Sequence, residues 1–239
     1  MPLGALLALL AALPAQSDGQ EVDPHAWRGP GERVGHVYPE LTVSAPGVGS
    51  RTEAGIGALV PWADRLWAVG YVAHKRGSGI GLYEIRSDLS WRMHPASVTG
   101  TYAGRMVHWE SEQVFIGPYA IDAQGAVRVV DVLAAERVTA IARHLSAPRD
   151  KVLVLAMEGP LYELDVRTLE TTKVCDLTEE LALPPGSQPH FKGMASAQGR
   201  LVVANNSYDE RDYLGKHAAG RLAWWDGEGA WETLEESPY

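Results

Sequence analysis

Gly81-Leu82-Tyr83-Glu84-Ile85-Arg86-Ser87-Asp88-Leu89 returns later in the chain as Pro160-Leu161-Tyr162-Glu163-Leu164-Asp165-Val166-Arg167-Thr168-Leu169. Leu161 follows Leu82 by 79 residues. That is two units of about 40 residues each, a period in the range of β-propeller blades. Within each copy apolar and polar side chains alternate, as a strand with one buried face requires. Four near-continuous apolar runs lie outside these copies: Arg65-Leu66-Trp67-Ala68-Val69, Gln113-Val114-Phe115-Ile116-Gly117, Lys151-Val152-Leu153-Val154-Leu155 and Arg200-Leu201-Val202-Val203-Ala204. Runs of this kind suit second strands, sandwiched between neighbouring blades and buried on both faces.

Each run follows a short polar turn, as the connection from an innermost strand A to a strand B would be. The spacing therefore predicts an all-β chain, a β-propeller of about four recognisable blades over 55–95, 104–132, 137–177 and 190–235. Outermost strands are expected at 91–94, 126–130, 171–174 and 231–234. Residues 31–48 are candidates for part of a further blade, or for a cover over an exposed blade edge. Helix is expected only at Thr178-Glu179-Glu180-Leu181-Ala182-Leu183, capped by Thr178 and stopped by Pro184-Pro185.

With 239 residues, 46% of them hydrophobic and 21% charged, the chain can bury a sizeable core, and disorder is excluded. The formal charge of −9, with no block of Lys or Arg, removes the electrostatic footprint of a nucleic-acid binder. Residues 3–13 form an apolar stretch too short to span a bilayer, followed by small residues suited to signal-peptidase cleavage. The domain reading is thus a signal peptide over 1–17, an N-terminal segment over 18–54 and a propeller over 55–239. Export to the periplasm or beyond is expected, with no membrane span after signal removal. Cys175 is the sole cysteine, so no intramolecular disulfide forms and packing alone must hold the fold. It lies in an alternating strand-like run and reads as a buried structural thiol.

Ala58-Leu59-Val60-Pro61-Trp62, Arg105-Met106-Val107-His108-Trp109-Glu110, Arg143-His144-Leu145, Met157-Glu158-Gly159 and Val202-Val203-Ala204-Asn205-Asn206 together resemble a family of exported, largely uncharacterised bacterial propeller proteins. The resemblance covers most of 55–227. It implies the fold and export, and it implies no reaction.

In a propeller, the D-to-A and B-to-C connections share one face, and ligands sit at the axis of that face, where loops of several blades converge. Eight residues of these loops are candidate ligand-binding groups: His74, Tyr102, Arg105, Glu158, His190, Lys192, Asn205 and Asn206. Arg105, His190, Lys192 and Asn205 are expected to converge on one axial pocket. In an extended strand His190 and Lys192 share one side and leave Phe191 on the other, and Glu158 is the nearest candidate partner for them. A locally cationic basin on an acidic protein suits a carboxylate- or hydroxyl-rich ligand such as an acidic glycan, or a partner protein. The competing reading is that these groups only cap and pair buried main chain.

A second functional class is a carbohydrate-active lyase or hydrolase. There His190 or His108 would abstract a proton, Tyr102 or Tyr119 would donate one, and Arg105 or Lys192 would stabilise developing charge. His108 and His144, each ending a strand A, would with His190 supply imidazoles for a transition metal, yet no short His/Asp/Glu spacing fixes such a cluster. No metal and no cofactor is therefore expected. Trp224-Trp225 reads as an aromatic pair packed between blades.

Overall fold

The computed structural model describes residues 23, 25–29, 54–72, 81–183, 188–206 and 220–235. Among these, sixteen strands form four antiparallel sheets, each a meander in chain order. Blade one is β1 (Ala54–Trp62), β2 (Arg65–Val72), β3 (Leu82–Ile85) and β4 (Trp91–Met93). Blade two is β5 (Arg105–His108), β6 (Gln113–Ile116), β7 (Tyr119–Asp122) and β8 (Val127–Val129). Blade three is β9 (Val138–Arg143), β10 (Lys151–Ala156), β11 (Pro160–Asp165) and β12 (Thr171–Asp176). Blade four is β13 (Phe191–Ala197), β14 (Arg200–Asn206), β15 (Gly220–Trp225) and β16 (Glu232–Glu235). The architecture is that of a β-propeller, and the two repeat copies occupy β3 and β11 in matching register. Leu82 pairs with Val69, and Leu161 with Leu155.

The A-to-B hairpins of blades one and four are tight because two residues in each adopt the left-handed conformation that a primed turn demands. These are Ala63 and Asp64 in blade one, and Gln198 and Gly199 in blade four. The blades stack through the apolar runs on their second strands. Val152, Val154 and Ala156 of β10 face the core shared with blades one and two, while Leu153 and Leu155 face the core shared with blade four. This two-sided burial is why those runs carry no alternation.

Strand A is bulged in three blades. One residue has no partner on strand B: Gly57 in β1, Thr139 in β9 and Lys192 in β13. Blade two lacks the bulge but keeps the frame, since Gly104 bonds to Gly117 just ahead of the Arg105–Ile116 pair. Ala103 is then the counterpart of the three bulged residues, and Ile56, Tyr102, Val138 and Phe191 share the place before it. Each inter-blade joint repeats one contact at these places. A Cβ on Gly57 would lie 1.9 Å from the Tyr102 carbonyl oxygen, so only glycine allows that approach. The Ala103 N–H donates to the Val138 carbonyl at 2.7 Å. The Thr139 hydroxyl donates to the Phe191 carbonyl at 2.6 Å. The residue following the shared place thus touches the main chain of the next blade in all three joints.

Two short helices connect blades, α1 (Asp131–Ala134) and α2 (Leu177–Glu180). The first was not legible in the sequence. The second starts one residue before the expected segment. Its cap is Asp176, whose carboxylate accepts from the Thr178 N–H at 3.1 Å and from the Thr178 hydroxyl at 2.7 Å, so Thr178 is a donor to the cap and not the cap itself. Arg28 pairs antiparallel with Trp91, exchanging two main-chain bonds of 2.8 and 3.0 Å, and so adds a single bridge to the edge of β4. Trp27 accepts the Arg86 guanidinium over its ring at 3.5 Å and that of Arg92 at 4.7 Å. The candidate signal peptide and residues 31–48 lie outside the described residues.

Candidate functional site

The starts of β9 and β13 decide where charge gathers. Arg137 precedes Val138 as His190 precedes Phe191, so the two occupy the same place in adjacent blades; the equivalents in blades one and two are Gly55 and Thr101. Phe191 is fully buried against blade three while Lys192 is exposed, as the alternation of an extended strand dictates. The Arg137 guanidinium donates from Nε to the Glu158 carboxylate at 2.5 Å, from the first residue of blade three to its B-to-C loop. His190 stands beside this pair. Burial holds its imidazole below the ordinary histidine value. The Gln188 carbonyl, 3.0 Å from Nδ1, and the Glu158 carboxylate pull it up, while the positive charges of Arg137 and Lys192 push it down. Arg137, Glu158 and His190 therefore gather at the seam of blades three and four, while Lys192, on the side of β13 away from Phe191, acts on the imidazole through its charge alone.

Asn205 is buried and its side-chain oxygen accepts the His190 N–H at 3.1 Å, so it fixes the backbone that carries the imidazole. Arg137 was missed as a candidate although it opens blade three; its equivalence to His190 is visible only once the bulges align the strands.

Two other expected residues, Tyr102 and Arg105, lie away from this seam. Tyr102 is not on the rim: it is fully buried, its hydroxyl donates to the Ala134 carbonyl at 3.0 Å, and burial raises its phenol far above the ordinary value. Arg105 is exposed, but it lies three places further along strand A than Tyr102, so it is no counterpart of Arg137 or His190, and the structure gives no contact joining it to them. Asn206 ends β14, with its backbone paired to Gly220. His74 lies outside the described residues.

Three groups expected to do chemistry have structural partners. Tyr119 is fully buried, exchanges hydrogen bonds with the Val98 main chain at 2.9 and 3.0 Å, and is pushed up by burial to about 12. Neither Tyr102 nor Tyr119 can thus donate a proton to a bound substrate, which removes the acid from the lyase reading. His108 is fully buried; its Nδ1 accepts the Ser111 N–H at 3.2 Å and its Nε2 lies 2.9 Å from the Pro148 carbonyl of blade three. His144 repeats the device, with Nδ1 accepting the Ala147 N–H at 3.1 Å and Nε2 donating to Glu163 at 2.8 Å. Both histidines cap A-to-B turns, and among the described residues no three His, Cys, Asp or Glu gather as metal ligands. Cys175 is half-buried and burial pushes its thiol up to about 12, so it is not a nucleophile at neutral pH. Trp225 stacks on Trp231 at 5.7 Å.

Neither a protein-family model nor a curated protein matches the chain. Solved structures of low similarity do. The Swd1 β-propeller domain of Myceliophteria thermophila is 14% identical, with a TM-score of 0.34, over 76% of this chain and 74% of that one. The computationally designed Ika8 protein is 12% identical, with a TM-score of 0.38, over 77% of this chain and 50% of its own. The extracellular domain of a putative hybrid two component system from B. thetaiotaomicron is 8% identical, with a TM-score of 0.41, over 83% of this chain and 30% of that one. The chain spans half the length of the designed protein and less than a third of the two component system's domain. Among the described residues no helix is long and apolar enough to cross a membrane.

Proposed function

We propose that this is an exported bacterial binding propeller that holds an acidic or hydroxyl-rich glycan at the seam of blades three and four. The observation that carries the reading is the shared place of Arg137 and His190 at the starts of adjacent strands, with Glu158 bonded to Arg137 and the charge of Lys192 adding to theirs from the other side of β13. Guanidinium and ammonium groups recognise carboxylates, and the Glu158 carboxylate accepts from sugar hydroxyls. A half-buried neutral imidazole next to two cations gains a proton most easily when an anion arrives. Binding of an acidic ligand therefore tightens as the pH falls below about 6.5, the ordinary histidine value.

The test is retention of uronic-acid glycans by the purified mature protein, compared with the neutral sugars of the same backbone. Arg137→Ala should weaken retention of the acidic glycans, and His190→Gln should flatten the pH dependence while the far-ultraviolet spectrum stays unchanged. Equal retention by wild type and Arg137→Ala would overturn the reading. Appearance of an unsaturated or hydrolysed product during the assay would replace it with the enzymatic one.

A further inference from the structure

Ile56 is out of keeping with its three counterparts. Tyr102, Val138 and Phe191 hold the same place in blades two to four and are all fully buried by the blade before them, whereas Ile56 is 45% exposed. Leu59, on the same face of β1, is 39% exposed. Lys192 is the converse case. Its counterparts Gly57, Ala103 and Thr139 each touch the main chain of the next blade, yet Lys192 is exposed at the open side of blade four.

The sheet around it tells the same story. Ala195, Val202 and Ala204 of blade four stand in register where Ala142, Leu153 and Leu155 stand in blade three. The blade-three residues are buried beneath blade four, while Ala195 and Ala204 are exposed and Val202 is half-buried. An exposed apolar sheet face of this kind, with the exposed counterpart of the neighbour-contacting residues at its edge, has the character of an interface surface.

We propose that the open face of blade four receives the open face of blade one from a second copy of the chain, with Lys192 meeting the Ile56 carbonyl as Thr139 meets that of Phe191. The occupant follows from continuity: the same two kinds of face already pack against each other three times within the chain. A head-to-tail contact closes when its rotation brings the last face back to the first. Two chains that each contribute the four described blades would make one ring of eight, within the usual propeller range. Leu155 and Phe191 share one apolar cluster, so Ala204 and Ile56 are their counterparts across the seam between copies.

Sedimentation and light scattering of the full chain should return the mass of two chains. Ile56→Asp and Ala204→Arg alter exposed positions and should each give a folded single chain, judged by an unchanged near-ultraviolet spectrum. Together in one chain they set opposite charges across the seam and should restore the two-chain mass. Lys192→Ala should raise the dissociation constant about tenfold, the scale of one hydrogen bond to a charged donor. A wild-type protein that stays single-chained at every concentration would overturn the proposal, as would single variants that keep the two-chain mass or an open-ended ladder of larger species. The readout is mass and not ligand, so it stands or falls separately from the glycan reading.

Discussion

Glu84 in blade one and Glu163 in blade three are the same residue of the repeat, opposite Trp67 and Leu153 on the second strand, and they live in different surroundings. Glu84 is 2% exposed and is gripped by two guanidiniums, Arg65 Nε at 2.6 Å and Arg92 Nε at 2.7 Å. Glu163 is partly open to solvent and is held by the Lys151 ammonium and the His144 imidazole. Arg65 and Lys151 begin their strands at equivalent places, so the first cation belongs to the repeat. The second does not: Arg92 comes from the outermost strand and His144 from the A-to-B turn. A buried carboxylate needs permanent charge and full hydrogen bonding to offset desolvation, which two guanidiniums supply. A solvated one can rely on weaker partners.

Four substitutions in the two repeat copies probe that difference. Removing Glu84 by Glu84→Ala leaves two guanidiniums facing each other over a buried gap and should cost about 3 kcal/mol in denaturant unfolding. The same change at Glu163 should cost about 1 kcal/mol, because its partners turn to water. Equal losses would mean that burial does not separate the two sites. The third effect is the smallest. Leu89 and Leu169 both sit in left-handed turns after these strands, with φ of 65° and 63°. Leu169 also packs on the core. Leu89→Gly should therefore change stability by less than about 0.5 kcal/mol, relief of strain cancelling lost contact, while Leu169→Gly should lose about 1 kcal/mol.

Acid sharpens the contrast further. Burial raises the Glu163 carboxyl, but the hydrogen bond and charge of Lys151, with those of His144, more than reverse this and hold it below the ordinary value. The unfolded chain then binds the proton more readily, so the contribution is complete above about pH 4.5 and is lost as the pH falls through the folded value. Chemical denaturation of wild type and Glu163→Gln should converge at low pH. Curves that stay parallel down to pH 3 would assign the acid sensitivity to other carboxylates.

The fold was legible because it is written as repetition: the Leu-Tyr-Glu motif and the four apolar second-strand runs marked the blades within a few residues of where they lie. The site was less so. A bulge adds one residue without any signature in composition, so the shared place of Arg137 and His190 has no mark in the sequence; Arg105 does open its strand, yet Tyr102, three residues earlier, holds the place that matches Val138 and Phe191. Tyr102 and Tyr119 carry polar tips that in sequence suit a rim and in three dimensions satisfy buried carbonyls. His108 and His144 share a strand-end position for a reason that is local, the capping of a turn, which spacing cannot distinguish from a ligand set.

The strap formed by Trp27 and Arg28 bears on the order in which the molecule assembles. Arg28 is synthesised long before Trp91, so during synthesis it has no strand to join, and the loop its pairing closes is long. The blades themselves are built from hairpins whose partners are neighbours in the chain and can zip up as they emerge. The strap is thus the latecomer of blade one. Until it docks, β4 presents an unpaired edge, and the Arg92 that it stacks on is the same side chain that neutralises Glu84. Residues made before the blade they brace are thus among the last to find their place, and the burial of a charge deep in blade one ripens only with their arrival.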